Sequence, residues 1–263
     1  VGNRCGIPMG AKKDVVFSSR SEPKSPSYPN GKMSAPYTRI TSNTNAPQPN
    51  PSIDTNVNYV VSSIASETNG ATIHVYTKAL LELGGSPFTL SSLAPDGNVC
   101  KNTGNGQAQV LFDTFANIWV FVEPSTSNQT TLCLYASDGS EPLTSTYTVY
   151  ALTFPSLDGQ PITYPKLANF NNYYTVSMLH GGVSPVLVII KRESIITQQL
   201  SVSYFTVPAA FPPQPVVVNT TYTPLDNRGE TQVPSNISTG VFFMRQKDTG
   251  TSSDFLDVIE YTN

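Results

Sequence analysis

The sequence predicts an all-β protein, specifically a β-propeller-like array of about four blades that follows a long irregular N-terminal arm. β-Branched, aromatic and turn-forming residues outnumber helix formers across the 263 residues. Paired short apolar runs, separated by polar turns, recur four times. One aromatic residue marks each pair, at Tyr59, Trp119, Tyr174 and Phe242, so the intervals are 60, 55 and 68 residues. A repeat of about 50 to 60 residues has the size of a propeller blade. A β-sandwich is the alternative, although it requires no repeat of whole hairpins.

Residues 1–55 differ in composition from residues 56–263, and we predict two domains with this boundary. The first segment is rich in Pro, Ser and Asn and has no sustained helical or strand period. It carries seven basic and three acidic residues, a net charge of +4, whereas the whole chain is −3 and the remainder is therefore −7. We expect a basic arm that lies either on its own domain or, as the favoured alternative, on a neighbouring copy or partner.

Four hairpins are predicted in the second domain, because two β-rich runs around a turn-forming cluster are typical of antiparallel pairs. The central hairpin contains the only tryptophan, Trp119, and a polar turn from Glu123 to Thr131. In chain order the paired runs are Val57–Ile64 with Thr72–Lys78, Ile118–Val122 with Leu132–Tyr135, Asn172–Leu179 with Pro185–Lys191, and Gly240–Gln246 with Asp254–Thr262.

The chain has three cysteines, Cys5, Cys100 and Cys133. Cys100 and Cys133 flank the central hairpin, and we predict a disulfide between them, which is typical of secreted proteins. Cys5 then remains as a free thiol or as a link to another chain.

Three glycosylation sequons follow the Asn-x-Ser/Thr pattern, and all lie in polar, turn-like stretches. They begin at Asn128, Asn219 and Asn236. Low charge, 13% of residues against the usual quarter, also favours an extracellular protein. We therefore predict a secreted or cell-surface location. No apolar run approaches the roughly 20 residues of a membrane-spanning helix.

Residues that could carry catalysis are sparse. His74 alternates with apolar neighbours in a predicted strand, which favours a structural role, and His180 is expected to be exposed in a His-Gly-Gly turn. No nucleophile elbow, zinc-binding helix, Cys-x-x-Cys pair or phosphate-binding loop occurs, and the Asp254/Asp257 pair is expected to flank a strand in solvent. We predict no catalytic residues, no metal, no cofactor and no enzymatic activity, and the acidic body disfavours nucleic acid.

The segments around the central and third hairpins resemble a family of secreted, largely uncharacterised β-propeller proteins, best known from bacteria. That family has Asp-Gly-Asp-Pro, then apolar residues and Tyr-Asp, then Ala-x-Arg-Trp. Asn105–Ala108, Val110–Asp113 and Ala116–Trp119 occupy the equivalent positions here, and Cys133 follows in the next strand. The family's Asp-Tyr-Pro-Lys-Leu is matched by Thr163–Leu167. Three acidic positions of the family are Asn105, Gln107 and Thr163 in this chain. Asp113 keeps its charge, and we expect it to cap the turn before Trp119.

The leading functional hypothesis is an extracellular structural protein, a fibre, wall or surface-layer subunit that assembles through its arm and exposed strand edges. The expected partners are further copies or a second chain that completes the propeller, and glycans are a further expected partner. A carbohydrate-binding or glycan-hydrolysing secreted β-propeller is the alternative, and a viral or phage fibre domain is a second alternative.

Overall fold

The computed structural model describes residues 51–65, 70–170, 172–182 and 184–207 in full, and only the backbone of 223–224, 241–247 and 255–261. These residues form four antiparallel sheets in chain order, three of four strands and one of three. In every sheet, strands that are consecutive in sequence are also neighbours in space. The all-β prediction is therefore confirmed.

The strands of each sheet have the following bounds. The first sheet comprises β1 (Ser52–Thr55), β2 (Tyr59–Ile64), β3 (Thr72–Thr77) and β4 (Phe88–Thr89). The second comprises β5 (Gln109–Asp113), β6 (Ile118–Pro124), β7 (Thr131–Ser137) and β8 (Tyr147–Thr153). The third comprises β9 (Ile162–Phe170), β10 (Tyr173–His180), β11 (Ser184–Lys191) and β12 (Val202–Thr206). The fourth comprises β13 (Thr223–Pro224), β14 (Val241–Lys247) and β15 (Phe255–Tyr261). A 3-10 turn (Leu90–Leu93) follows β4, and a short helix α1 (Arg192–Ile196) follows β11.

All four predicted hairpins are present, as the pairs β2–β3, β6–β7, β10–β11 and β14–β15. Two boundaries differ from the sequence-based expectation. Ser52–Thr55, the last residues of the predicted arm, pair with β2 as the first strand of the first sheet. Residues 1–50 lie outside the described residues, so the arm remains a prediction. Glu123, which we expected to begin a polar turn, lies inside β6.

The first strands of consecutive sheets lie against one another, which is the arrangement of propeller blades around an axis. β1 contacts β5, β5 contacts β9, and β9 contacts β13. Ser52 and Asp54 on β1 accept hydrogen bonds from the backbone N–H groups of Val110 and Phe112 on β5, at 3.1 and 2.6 Å. Because both partners advance by two residues, β1 and β5 run in the same direction. The propeller-like prediction is confirmed, and the sandwich alternative does not describe this packing.

The second sheet is buried on both faces, which explains its nearly continuous apolar strands. Trp119 and Phe121 of β6 belong to the core between the first and second sheets. Val120 and Val122 belong to the core between the second and third sheets. Successive side chains of a strand point to opposite faces, so β6 supplies both cores at once.

Candidate functional site at the strand-start face

The candidate site lies at the end of the domain where β5 and β9 begin, and we call this end the strand-start face. The turn between β6 and β7 lies at the same end, since the Asn105 N–H donates to the Pro124 carbonyl at 3.0 Å. The last residue of β10, His180, also reaches this end because it pairs with Ile162 at the start of β9. The face thus collects residues from four segments that are far apart in sequence.

A β-bulge distorts the start of β9. Its pairing with β10 runs from Ser177↔Lys166 to Leu179↔Thr163, so two residues, Tyr164 and Pro165, oppose one. Tyr164 has φ = 53°, in the left-handed region that tyrosine rarely adopts. Bulges and such backbone strain concentrate at functional sites, where they redirect a side chain.

The side chain of Gln107 holds this bulge in place. Its Oε1 accepts a hydrogen bond from the Tyr164 N–H at 2.6 Å. Gln107 belongs to the segment that leads into β5, so this bond joins the starts of two adjacent first strands. Both residues belong to the two motifs that carry the family resemblance, and the fold brings those motifs together.

Two basic side chains lie near the bulge. Lys166 is half-buried on β9, and this partial removal from water lowers its pKa below the usual lysine value. The His180 Nε2 lies 2.9 Å from the Asp158 Oδ1, without the alignment of a hydrogen bond. Only 13% of the His180 side chain is exposed, so the expectation of an exposed histidine in a turn is wrong. The reason is that His180 is still part of β10, as its last residue, and pairs with Ile162 at the start of β9.

Glu123 is the principal buried carboxyl behind this face. It is fully buried on β6, and its Oε1 accepts hydrogen bonds from the backbone N–H groups of Ala71 at 2.7 Å and Gly106 at 2.8 Å. Its Oε2 has no hydrogen-bond partner. Burial raises the pKa of Glu123 to about 7, although the two backbone hydrogen bonds lower it. The carboxyl therefore ties the first sheet and the segment before β5 to β6, and it is largely protonated below neutral pH.

Two glycines make room for this carboxyl. A Cβ atom on Gly104 would lie 2.2 Å from the Glu123 Oε2, and one on Gly70 would lie 2.9 Å from Oε1. Gly70 also has φ = 86°, a conformation that favours glycine. The backbone at Gly70 and Gly104 thus lies so close to the Glu123 carboxyl that a side chain at either position would collide with it.

A second buried carboxyl, Asp113, lies at the opposite end of β5. Its Oδ1 accepts hydrogen bonds from the Phe115 and Ala116 N–H groups at 2.9 and 3.3 Å, in accord with the expected capping role. Its Oδ2 also accepts from the Arg192 Nε and the Tyr174 hydroxyl, each at 2.6 Å. This ion pair joins the second and third sheets, and a structural role accounts for all these contacts.

The predicted disulfide between Cys100 and Cys133 is present, with a Cα–Cα distance of 5.8 Å. It links the loop before β5 to β7, where Cys133 lies opposite Glu123 of β6 in the strand register. A disulfide is typical of an oxidising compartment, which supports an extracellular location. Cys5 lies outside the described residues.

The other sequence-based site predictions are placed as follows. His74 lies on β3, where its Nδ1 is 2.8 Å from the Glu82 Oε1. Asn128 lies in the turn between β6 and β7. Asn219, Asn236 and Asp254 lie outside the described residues, and of Asp257 only the backbone on β15 is described. The roles that the sequence predicts for these residues remain predictions.

No group of three or more His, Cys, Asp or Glu residues that could hold a metal ion occurs in the part of the chain that the structure describes. No helix within that part is both long and apolar enough to cross a membrane. The expectation of no cofactor remains a prediction, as do the expected partners.

Sequence reasoning missed the structural roles of Glu123 and Gln107, and it missed the contacts of Asp113 with Arg192 and Tyr174. Glu123 stands at the end of an apolar run, and the donors to its carboxyl are 52 and 17 residues away. No local sequence pattern indicates contacts between residues so far apart in the chain. The closely spaced glycines before β5 are the one sequence signal that backbone packs tightly there.

No protein-family model matches the sequence. No curated protein matches it significantly either. Among solved structures, exo-β-1,3-galactanase from Phanerochaete chrysosporium is 8% identical with a TM-score of 0.46, and the match covers 76% of this chain and 44% of that chain. GH43B of a Bacteroides ovatus xyloglucan PUL is 8% identical with a TM-score of 0.45, covering 81% and 38%. A GH43 β-1,3-galactosidase is 7% identical with a TM-score of 0.43, covering 79% and 71%. This chain spans less than half the length of the first two.

These neighbours are named as glycan-cleaving enzymes or as GH43 proteins, a glycoside hydrolase family. The expectation that this chain is not an enzyme is contradicted by that finding and is withdrawn. The identities and TM-scores are too low to assign any neighbour's activity or substrate to this chain.

Proposed function

We propose that the chain is a secreted, carbohydrate-active β-propeller domain whose glycan site lies at the strand-start face. The single observation that carries the proposal is the bulge at Tyr164, held in a left-handed conformation by the Gln107 side chain. A strained tyrosine that a neighbouring blade holds in place is typical of a position fixed for ligand contact rather than for packing. The segments that contain Gln107 and Tyr164 are also the ones that resemble the secreted β-propeller family, and that resemblance supports the proposal.

The side chains at this face suit a neutral, hydroxyl-rich ligand. Tyr164 offers a half-buried aromatic ring and His180 a partly exposed imidazole, while Gln107 is buried and positions Tyr164. Ligand sites generally combine apolar or aromatic surface with a few well-placed polar groups. The low charge of the chain, −3 overall, favours such a ligand over a polyanion.

Glycan binding is the activity that we propose, and hydrolysis would require a second carboxyl group beside Asp158. Glycosidases require two carboxyl groups that flank the scissile bond. Asp158 is an exposed carboxylate at the strand-start face. Glu123 lies behind the face with its pKa raised to about 7, and because it is fully buried its role is to hold the surrounding backbone rather than to touch substrate.

The test combines a glycan array with calorimetric titration of the best glycan, using Tyr164→Gly. Glycine adopts φ = 53° without strain, so this variant removes the ring and keeps the fold. Asn117→Gly is the matched control, because Asn117 has φ = 57° in the turn at the opposite end of β5 and β6. We expect Tyr164→Gly to weaken binding at least about tenfold, while Asn117→Gly binds like the parent chain.

Reducing-end release from the bound glycan, measured for the parent chain and for Asp158→Asn, tests hydrolysis in the same samples. Failure of the folded parent chain to bind any glycan would overturn the proposal. Equal affinity of Tyr164→Gly and the parent chain would place the site elsewhere and would refute the assignment to this face.

A further inference from the structure

The turn between β6 and β7 contains a complete glycosylation sequon, Asn128-Gln129-Thr130, within the described residues. Thr126, Ser127 and Gln129 are exposed, and Asn128 is half-buried. The turn is well ordered by its own hydroxyl groups, since the Ser125 Oγ accepts hydrogen bonds from the backbone N–H groups of Ser127 and Asn128. The sequon is therefore presented at the surface in a fixed conformation.

The Asn128 side chain is bound through its oxygen. Its Oδ1 accepts hydrogen bonds from the Thr130 N–H at 3.2 Å and from the Thr130 hydroxyl at 3.0 Å. In the part of the chain that the structure describes, the Nδ2 of Asn128 makes no hydrogen bond, nor is it among the buried unpartnered atoms. The amide nitrogen is thus the free end of the side chain.

We propose that Asn128 is an asparagine-linked glycosylation site of this chain. The donor is a lipid-linked oligosaccharide pyrophosphate. A C–N bond forms between the sugar's anomeric carbon and the Nδ2 of Asn128, the anomeric C–O bond to the pyrophosphate breaks, and the amide loses one proton. The lipid pyrophosphate is the leaving group, and no oxidant or reductant is needed.

The folded turn accommodates this product without rearrangement. Glycosylation converts the NH₂ group to N–H and leaves the Oδ1 carbonyl intact, so both hydrogen bonds from Thr130 persist. An asparagine bound through its nitrogen, or fully buried, would have to break contacts to carry a sugar. Asn128 breaks none.

The attached glycan would stand beside the strand-start face. The Gln129 carbonyl accepts a hydrogen bond from the Ile162 N–H at 2.9 Å, and the Thr130 carbonyl accepts one from the Phe154 N–H at 3.0 Å. The turn is therefore fixed against the start of β9. This inference does not depend on glycan binding by the domain.

The test directs the full chain through the secretory pathway of insect or mammalian cells, in an Asn219→Gln, Asn236→Gln background that leaves Asn128 as the one remaining sequon. Peptide-N-glycosidase treatment in heavy-oxygen water then labels any asparagine that carried a sugar. We expect the label at residue 128 and a mobility shift equal to one glycan.

Two variants make the outcome specific. Asn128→Asp keeps the Oδ1 acceptor for Thr130 but cannot be glycosylated, so it is expected to lose the shift and remain folded. Thr130→Ser preserves both the sequon and the hydroxyl, so it is expected to keep the shift. An unlabelled Asn128 in secreted chain whose Cys100–Cys133 disulfide has formed would overturn the proposal, as would an Asn128→Asp mobility equal to that of its parent.

Discussion

Replacing Glu123 with glutamine removes the buried carboxyl that ties the first sheet to the second, and it should change how stability depends on pH. Burial raises the pKa of Glu123 from 4.5 to about 7. Each pKa unit corresponds to about 1.4 kcal/mol, so ionising Glu123 in the folded protein costs about 3 kcal/mol. Glutamine keeps the Oε1 acceptor for the Ala71 and Gly106 N–H groups and cannot ionise.

The sign follows from the folded state binding the proton more tightly than the unfolded state. The stabilisation from protonated Glu123 is fully present below about pH 4.5, and it is lost as the pH rises through about 7. The free energy of unfolding of the parent chain should therefore fall by about 3 kcal/mol from this group between pH 4.5 and pH 8. Glu123→Gln should lack that fall and be the more stable protein at pH 8.

The assay is urea unfolding at several pH values from 4.5 to 8, followed by the fluorescence of Trp119. This is the only tryptophan of the chain, and it is fully buried between the first and second sheets. Glu193→Gln, a change at an exposed position in α1, is the matched control and should follow the parent chain. The difference between the parent chain and Glu123→Gln isolates this carboxyl from every other titrating group. The reasoning is refuted if that difference does not change with pH, or if the parent chain gains stability relative to Glu123→Gln as the pH rises.

Three further changes test the packing of the blades, each by urea unfolding. Gly104→Ala places a Cβ 2.2 Å from the Glu123 carboxyl and should destabilise the protein by about 1–3 kcal/mol. The control Gly84→Ala meets nothing within 4 Å and should have little effect, so equal losses of stability would contradict the close contact between Gly104 and Glu123. Asp113→Asn leaves a buried guanidinium without its carboxylate and should cost about 3–5 kcal/mol; a loss below 1 kcal/mol would mean that the pair is not buried. The double change Cys100→Ala, Cys133→Ala opens a disulfide that spans 33 residues and should cost about 3–4 kcal/mol; reducing agent should destabilise the parent chain equally and leave the variant unchanged.

Most of the fold was predictable because the strands are short-range features. Each hairpin consists of two runs within a few residues of one another, so local turn chemistry and apolar patterning are sufficient to pair them. The disulfide was predictable for a related reason, since Cys100 and Cys133 flank one predicted hairpin. The start of β1 was not predictable, because Ser52 and Asp54 alternate with Ile53 and Thr55 in a Pro- and Asn-rich stretch that has no other strand signal.

The candidate site was predictable only in part. The resemblance singled out the segments that contain Gln107 and Tyr164, yet nothing in either segment indicates that their starts are joined by a hydrogen bond 57 residues apart in sequence. The expectation for His180 failed for the same reason. A His-Gly-Gly sequence is typical of a turn, but β10 extends through His180 because Ile162 is available to pair with it.

The sequence by itself determined the all-β class, the four hairpins and the disulfide, because each depends on residues that are near neighbours or on a pattern that repeats along the chain. Only the tertiary structure decided which side chains meet between blades. The order of the sheets buries Glu123 against Ala71 and Gly106, pairs Asp113 with Arg192, and positions Gln107 under Tyr164. These contacts join residues 17 to 79 positions apart. They arise from the packing of whole sheets, a long-range property that no local run of amino acids encodes.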